Sequence, residues 1–151
     1  MAAASLLTQA IRLLARREYA RAELEQKLVA KGWGSVEVRT ALDDLTARGY
    51  LSDARYAGAI AARRGGSYSR RRIAAELKAK GVARSDIETA LAGAGIDDDA
   101  ALRALWQRRF GRAPGDEREK ARQVRFLQAR GFALSTILRF LRNADARDVD
   151  A

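Results

Sequence analysis

The pattern of hydrophobic and polar positions repeats along this chain with a period of about fifty residues. In each copy a leucine lies four positions before a glycine, and the glycine directly follows a lysine or an arginine. An aliphatic residue recurs six positions after that glycine, and a leucine ten positions after it. The leucine and glycine pairs are Leu28 and Gly32, Leu77 and Gly81, and Leu127 and Gly131. Self-similarity at a fixed period is typical of tandem repeats, so the pattern predicts three copies of one structural unit.

Three helices are predicted in each unit. Ile73 and Leu77 are four residues apart and therefore share a helical face. A basic residue and a glycine then end that helix, because a cation is favourable at a C-terminus and glycine adopts the left-handed capping conformation. A further helix is expected after each glycine, with candidate N-caps at Ser35, Ser85 and Ser135. Amphipathic spacing predicts another helix before each glycine helix, over residues 6–16, 53–64 and 99–110.

These elements define an all-α fold of three tandem three-helix repeats. Alanine, leucine, arginine and glutamate dominate the sequence, and Pro114 is its one proline, so the intrinsic preference is helical nearly throughout. Because one unit has too small a core to be robust alone, neighbouring units should pack into an elongated, right-handed or curved array. The predicted repeats cover residues 1–51, 52–94 and 95–142. Residues 143–151 lack periodicity and are predicted to be a frayed C-terminal tail.

The charge of the chain favours polyanionic partners. Lysine and arginine total 29 against 19 aspartate and glutamate, which gives a formal net charge of +10. Such an excess attracts nucleic acid or an acidic protein surface. The sequence has no cysteine and no histidine, which removes disulfides, thiolate zinc sites and histidine-dependent catalysis from consideration. We therefore predict a protein that is not an enzyme and has no cofactor, catalytic residue or metal site.

The N-terminal segment does not read as a targeting signal. Arg12, Arg16 and Arg17 interrupt its apolar residues, and no small-residue cleavage site follows them. No stretch approaches the roughly 20 apolar residues that are needed to cross a bilayer. We expect a cytoplasmic monomer that has no contact with membranes.

The stretch RRGGSYSRRR, residues 63–72, is the connection between the first and second helices of the middle unit. Gly65 and Gly66 should end one helix, and Ser69 should cap the next. Arg70, Arg71 and Arg72 then occupy a first helical turn, where cations are mildly unfavourable against the helix dipole. These arginines are either solvated or in contact with an anionic partner, a phosphate or a carboxylate. The ring of Tyr68 could pack within the turn or stack on a base.

A second group of basic residues follows the proline. Arg118 and Arg122 are four residues apart on a predicted helix, but Glu117 and Glu119 interleave with them. This face is therefore either a solvated surface of mixed charge or an electrostatic contact surface. The candidate residues for contact with a protein or DNA partner are Arg63, Arg64, Tyr68, Arg70, Arg71, Arg72, Lys78, Lys80, Arg118, Arg122 and Arg125.

Several stretches of the chain have a common likeness: the three turns of sequence KGW, KGV and RGF, ARGYLSDARYA at residues 47–57 and EKARQVRFLQARGF at residues 119–132. Together they resemble the RecX family of bacterial regulatory proteins. The resemblance covers residues 11–141. One departure is Ala20, which stands where the second unit has Ser69. The first unit is therefore expected to lack a hydroxyl cap, at a cost of about 1 kcal/mol.

This resemblance implies tandem three-helix repeats that bind the RecA recombinase filament on single-stranded DNA. It further implies inhibition of the recombinase, ATPase and co-protease activities, and thereby modulation of recombination, DNA repair and the SOS response. No catalysis is implied.

Two other functions are compatible with the composition. One is a stand-alone basic helical module that binds DNA by itself. The predicted helices after the glycines argue against this module. Their sequences, SVEVRTALDDL and SDIETALAGAG, are acidic or have small apolar residues where side chains that read DNA bases would be needed. The other is a scaffold for a different acidic protein.

Overall fold

The structure, a computed structural model, describes residues 2–150, with side chains described over residues 5–145. Residues 2–150 form nine α-helices and contain no strand. The first repeat contains α1 (Ala2–Arg16), α2 (Arg21–Ala30) and α3 (Ser35–Ala47). The second contains α4 (Asp53–Arg64), α5 (Arg70–Ala79) and α6 (Arg84–Gly93). The third contains α7 (Asp98–Arg109), α8 (Glu117–Ala129) and α9 (Leu134–Asp150). The predicted all-α fold of tandem three-helix repeats is confirmed.

The middle helix of each repeat, α2, α5 or α8, ends at the glycine that marks the period. Gly32, Gly81 and Gly131 have φ angles of 103°, 83° and 97°. At the end of α5 the Gly81 N–H donates to the Lys78 carbonyl at 3.0 Å, and the Val82 N–H donates to the Leu77 carbonyl at 3.1 Å. This pair of bonds is a Schellman motif, which satisfies carbonyls that have no partner within the helix. The repeated sequence pattern therefore encodes a helix end.

The N-caps predicted for the third helices are wrong. Gly34 is the N-cap of α3 and Ala83 that of α6, and neither makes a side-chain capping bond. Likewise α9 begins at Leu134, before Ser135. The reason is the Schellman turn, which brings the chain into extended conformation two residues after the glycine. The next helix starts directly after that residue, so each serine already lies inside it.

The hydrophobic core consists of three clusters, one for each repeat. Leu28 is fully buried in the first, Leu77 in the second and Leu127 in the third. Trp106 and Phe132 of the third repeat are also buried. Ala20 of α2 belongs to the second cluster, so the first repeat contributes apolar contact to its neighbour.

The three middle helices are arranged end to end. At what we call the first junction, the C-terminus of α5 meets the N-terminus of α2, where the Lys80 Nζ lies 3.0 Å from Glu23 Oε2. At the second junction the C-terminus of α8 meets the N-terminus of α5. There the Ser69 N–H donates to the Arg130 carbonyl at 3.0 Å, and the Ser69 hydroxyl donates to the Gly131 carbonyl at 2.8 Å. The negative end of one helix dipole thus faces the positive end of the next, which is favourable.

An aspartate from the following repeat caps each of the first two middle helices. The Arg21 N–H donates to Asp53 Oδ1 at 2.7 Å, and the Arg70 N–H donates to Asp98 Oδ1 at 2.8 Å. The N-cap of α2, Ala20, makes no side-chain capping bond, as predicted. Asp53 supplies a carboxylate to the same helix end, so the predicted loss of a cap is compensated by tertiary contact.

The segment predicted as a frayed tail, from residue 143, begins within α9 in the structure. Helix α9 continues to Asp150, and Ala144 is buried in the third cluster. The segment after residue 143 has weak hydrophobic periodicity. It nevertheless continues α9, which is already nucleated and packed, so each further helical residue gains a backbone hydrogen bond.

The long loop between α7 and α8 is held by a buried amide. The Gln123 side chain accepts a bond from the Trp106 ring N–H at 2.9 Å and donates to the Arg112 carbonyl at 3.2 Å. Asp116 caps α8 by accepting from the Glu119 N–H at 2.8 Å, and the Glu119 carboxylate accepts in return from the Gly115 N–H at 2.7 Å. Helix α8 is thus capped by an aspartate of its own repeat, whereas Asp53 and Asp98 reach α2 and α5 from the following repeat.

Candidate contact surface

The basic turn at residues 63–72 lies at the second junction. As predicted, Gly65 is the C-cap of α4, and the Ser69 side chain caps α5 by accepting from the Arg72 N–H at 3.1 Å. Gly66 has a φ angle of 83°, a conformation that favours glycine. The turn is therefore built by the repeat architecture, and its arginines are placed around it.

Two arginines of the triplet have bonding partners within the chain. The Arg70 guanidinium donates to the Ile96 carbonyl at 3.0 Å, and the Arg72 guanidinium donates to the Ala129 carbonyl at 3.1 Å. Each bond reaches the neighbouring repeat or its connection. Arg71 is exposed and has no bonding partner among the described residues. Solvation or partner contact is therefore not the whole role of Arg70 and Arg72. Their guanidiniums also hold neighbouring repeats together.

Three arginines surround the ring of Tyr68. The guanidinium carbons of Arg130, Arg64 and Arg72 lie 4.9, 5.6 and 5.7 Å from the ring centre. The ring is half-buried against the second core cluster, so it packs within the turn. A guanidinium within about 6 Å of a ring centre is attracted to it. Tyr68 thus concentrates positive charge at the second junction.

The arrangement continues into the third repeat. Arg130 also lies 5.2 Å from the ring centre of Phe126, and Arg109 lies 5.3 Å from the same ring centre. We call this set of residues, Arg64, Arg72, Tyr68, Arg130, Phe126 and Arg109, the arginine–aromatic ladder. The sequence places Arg130 in the basic stripe that follows the proline, but it does not single out Arg109 or Phe126 as contact residues, because the ring contacts that unite them join different helices. A further signal is the position of Arg130 before its glycine, equivalent to Lys80.

One carboxylate lies against the ladder. Glu76 accepts two bonds from the Arg64 guanidinium, at 3.1 and 3.2 Å. This ion pair holds Arg64 toward α5, and it raises the pKa of Arg64 chiefly through the hydrogen bonds to Glu76. In the described part of the chain, Arg72 and Arg130 have no carboxylate partner.

The remaining candidate residues fall into two groups. Lys80 is paired with Glu23 at the first junction, so part of its charge is already compensated. The side chains of the others are exposed and make no ion pair or hydrogen bond with the residues whose side chains are described. We call them the free basic set: Arg63, Arg71, Lys78, Arg118, Arg122 and Arg125.

Glu23 links the first two repeats. Its carboxylate lies 3.1 Å from Arg17 and 3.0 Å from Lys80, and its side chain is 15% exposed. Burial alone would raise the pKa of Glu23, but the bonds from Arg17 and Lys80 outweigh it and hold the pKa below its ordinary value of 4.5. A carboxyl whose pKa is lowered by folding stabilises the protein above its unfolded pKa, and this contribution is lost as the pH falls through the folded pKa.

Replacing Glu23 by glutamine is therefore expected to lower the free energy of unfolding by about 1 kcal/mol at pH 7, since two charge-assisted bonds are weakened. The difference from wild type should be smaller at pH 3 than at pH 7, because the carboxyl loses its charge as the pH falls through its lowered folded pKa. Urea unfolding at the two pH values measures this. Glu88→Gln is the matched control, because Glu88 pairs with Arg84 on the exposed surface of α6. Equal losses for the two variants at pH 7 would contradict the role of Glu23.

Other site types find no support in the described residues. No group of three or more acidic, cysteine or histidine side chains there is placed to hold a metal ion. Within the same part of the chain, no helix is long and apolar enough to span a bilayer.

The fold and this surface together define an all-α tandem-repeat protein with a concentration of arginines on its second and third repeats. The models of the first, second and third three-helix domains of RecX match residues 7–45, 52–91 and 97–141, respectively. The chain belongs to the RecX family of regulatory proteins.

Named relatives and solved structures agree with this assignment. The regulatory protein RecX of Leptothrix cholodnii is 43% identical over 93% of this chain and 90% of its own length. That of Ectopseudomonas mendocina is 46% identical over 90% of this chain and 92% of its own length. The crystal structure of RecX from Lactobacillus salivarius has a TM-score of 0.72 with 18% identity, and covers 95% of this chain and 97% of that one. At that identity the structural match establishes the fold alone.

Proposed function

We propose that this protein is a non-enzymatic cytoplasmic regulator that binds the RecA filament on single-stranded DNA. In this role it inhibits the recombinase, ATPase and co-protease activities, and so modulates recombination, DNA repair and the SOS response. Membership of the RecX family supports the proposal. The observation that carries it is the free basic set, whose six cations are exposed and uncompensated on the second and third repeats.

The arrangement of the repeats suits a filament as a partner. A filament offers the same surface at regular intervals, and a tandem-repeat protein offers several contact points on connected units. Contacts that are weak singly then add, because the second contact forms at a high effective concentration once the first has formed. Electrostatic attraction also speeds the encounter with a polyanionic target.

The experiment measures RecA ATPase on single-stranded DNA while this protein is added at substoichiometric amounts. Inhibition is the expected result. In parallel, the affinity of the protein alone for duplex DNA is measured over a salt series. Unchanged ATPase together with tight, steeply salt-dependent duplex binding would reject the regulator and favour the stand-alone DNA-binding module. Unchanged ATPase with no DNA binding would favour a scaffold for another acidic protein.

Charge reversal of the free basic set locates the contact. Replacing Arg118, Arg122 and Arg125 by glutamate should raise the concentration needed for half-inhibition at least tenfold, because attraction becomes repulsion. These side chains bond to nothing in the described chain, so the melting temperature should stay near that of wild type. The matched control reverses Arg12, Arg16 and Arg39 of the first repeat, whose exposed side chains also bond to nothing in the described chain, and it changes the net charge equally. Equal loss of inhibition in both triple variants would show that only net charge matters.

A further inference from the structure

The two junctions between middle helices are equivalent in backbone but differ in charge. The third residue of α2 is Glu23, and the third residue of α5 is Arg72. The residues that face them, at the C-caps of α5 and α8, are Lys80 and Arg130. At the first junction an acidic residue, Glu23, therefore faces a basic residue, Lys80. At the second junction two basic residues, Arg72 and Arg130, face each other.

The acid of the second repeat lies one turn further along its helix. Glu76 occupies the position equivalent to Lys27, and its bonds go to Arg64 rather than across the junction. At the first junction Glu23 bridges Arg17 and Lys80 at 3.1 and 3.0 Å. No carboxylate among the described residues plays this bridging role between Arg72 and Arg130.

The space at the second junction is open to solvent. A surface pocket there is lined by Arg64, Tyr68, Arg72, Ala75 and Glu76. Arg72 is exposed, and the Arg130 guanidinium contacts only the rings of Tyr68 and Phe126 among the described residues. Arg72 lines this pocket and Arg130 does not, but Arg130 lies against the same Tyr68 ring, so an anion from outside could reach both guanidiniums without displacing a buried side chain.

We infer that Arg72 and Arg130 form a binding site for a phosphate group of a single nucleic-acid strand, which takes the bridging place that Glu23 fills at the first junction. The identity of the cations supports phosphate. The pair at this junction consists of two guanidiniums, whose planar forks donate two bonds each to phosphate oxygens, whereas the facing cation at the first junction is a lysine.

The extent of the ladder indicates a ligand with repeated charge. Beyond Arg130 the ladder continues through Phe126 to Arg109, which also lines a pocket with Arg112 and Arg122. Cations that follow one another across two repeats match a backbone that carries one negative charge per nucleotide. Three guanidiniums lie 4.9 to 5.7 Å from the centre of the Tyr68 ring, so the ladder contributes charge and not base stacking.

This inference rests on the proposed function only for the source of the strand, the DNA of the filament. The test therefore uses the isolated protein. Binding of a fluorescently labelled single-stranded oligo(dT) is followed by anisotropy over a salt series for wild type, Arg130→Gln, Arg72→Glu and Arg12→Gln. Arg12 is an exposed arginine of the first repeat and serves as the control for net charge.

The expected result is a loss of affinity of about tenfold in Arg130→Gln and more in Arg72→Glu. The salt dependence of Arg130→Gln should be shallower by about 0.7, the slope for one phosphate contact on a single strand. Arg72→Glu recreates the acid–base pairing of the first junction, so it should remain folded while it excludes the phosphate. Should this variant unfold, Arg130→Gln still decides the question, because Arg130 donates no side-chain hydrogen bond in the described chain.

Four results would overturn the inference. One is unchanged oligo(dT) binding in Arg130→Gln, and another is an equal loss in Arg12→Gln, which would reveal non-specific attraction. The third concerns other anions. If the binding of poly(glutamate) depends on Arg72 and Arg130 and the binding of oligo(dT) does not, the site belongs to an acidic protein. Inorganic phosphate is included as a competitor; displacement of oligo(dT) by it at micromolar concentration would assign the site to free phosphate. RecA is absent throughout, so none of these results bears on whether the protein inhibits the filament.

Discussion

Replacing Gly131 by alanine is expected to lower the free energy of unfolding by about 3 kcal/mol, through two costs that add. The φ angle of Gly131 is 97°, a conformation that an alanine adopts only with strain. The added methyl group would also collide with the Ser69 hydroxyl and would lie 2.5 Å from the Arg72 Cβ. The second cost falls on the contact between α8 and α5, so the variant should loosen the second junction as well as the helix end.

Gly32→Ala is the matched control for this prediction. Gly32 ends α2 in the same motif with a φ angle of 103°, but a methyl group added there would meet no atom within 4 Å. Its replacement should therefore cost about 1 kcal/mol, the conformational part alone. Urea unfolding gives both values. Equal losses at the two glycines would mean that the close approach at the second junction has no energetic weight.

Replacing Leu77 by alanine is expected to cost about 2–5 kcal/mol, the range for a leucine truncated in a packed core. Leu77 is fully buried in the second cluster together with Ile73 and Leu91. The same residue provides the carbonyl that the Schellman motif uses, but that bond involves the backbone and survives the substitution. The loss is thus a measure of side-chain packing in the middle repeat.

Thermal and urea unfolding of Leu77→Ala measure this prediction, and Val36→Ala provides the comparison. Val36 is 64% exposed on α3, so its truncation should change stability by less than about 0.5 kcal/mol. A loss below 1 kcal/mol for Leu77→Ala would contradict the assignment of the period-marking leucines to the core.

Most of the fold could be predicted because its determinants are local. The leucine four residues before each glycine requires only helical geometry to reach the core, and the glycine requires only its own conformational freedom to end the helix. The N-caps at Ser35, Ser85 and Ser135 were mispredicted because hydroxyl preference was weighed without the length of the turn. After the Schellman motif, the residue before the serine, or the one before that, already serves as the N-cap, so the serine lies inside the next helix.

The candidate surface was predictable only in part. The sequence indicates that residues 63–72 are basic and span the connection between two helices, and both statements describe the structure, where α4 ends at Arg64 and α5 begins at Arg70. It does not indicate which arginines are already bonded. Arg70 and Arg72 bond to the carbonyls of Ile96 and Ala129, partners that lie 26 and 57 residues away. Such partners depend on how the repeats pack, and no local pattern specifies them.

The sequence by itself determined the class of fold, the number of repeats and the positions of the core leucines, since periodic spacing and glycine placement act within one helix and its turn. Only the tertiary structure decided what happens between repeats. Whether a charged side chain is compensated depends on the residue that the next repeat places opposite it, as the pairing of Glu23 with Lys80 shows. The equivalent meeting of Arg72 with Arg130 lacks an acid, because the carboxylate of the second repeat lies one helical turn away on Glu76.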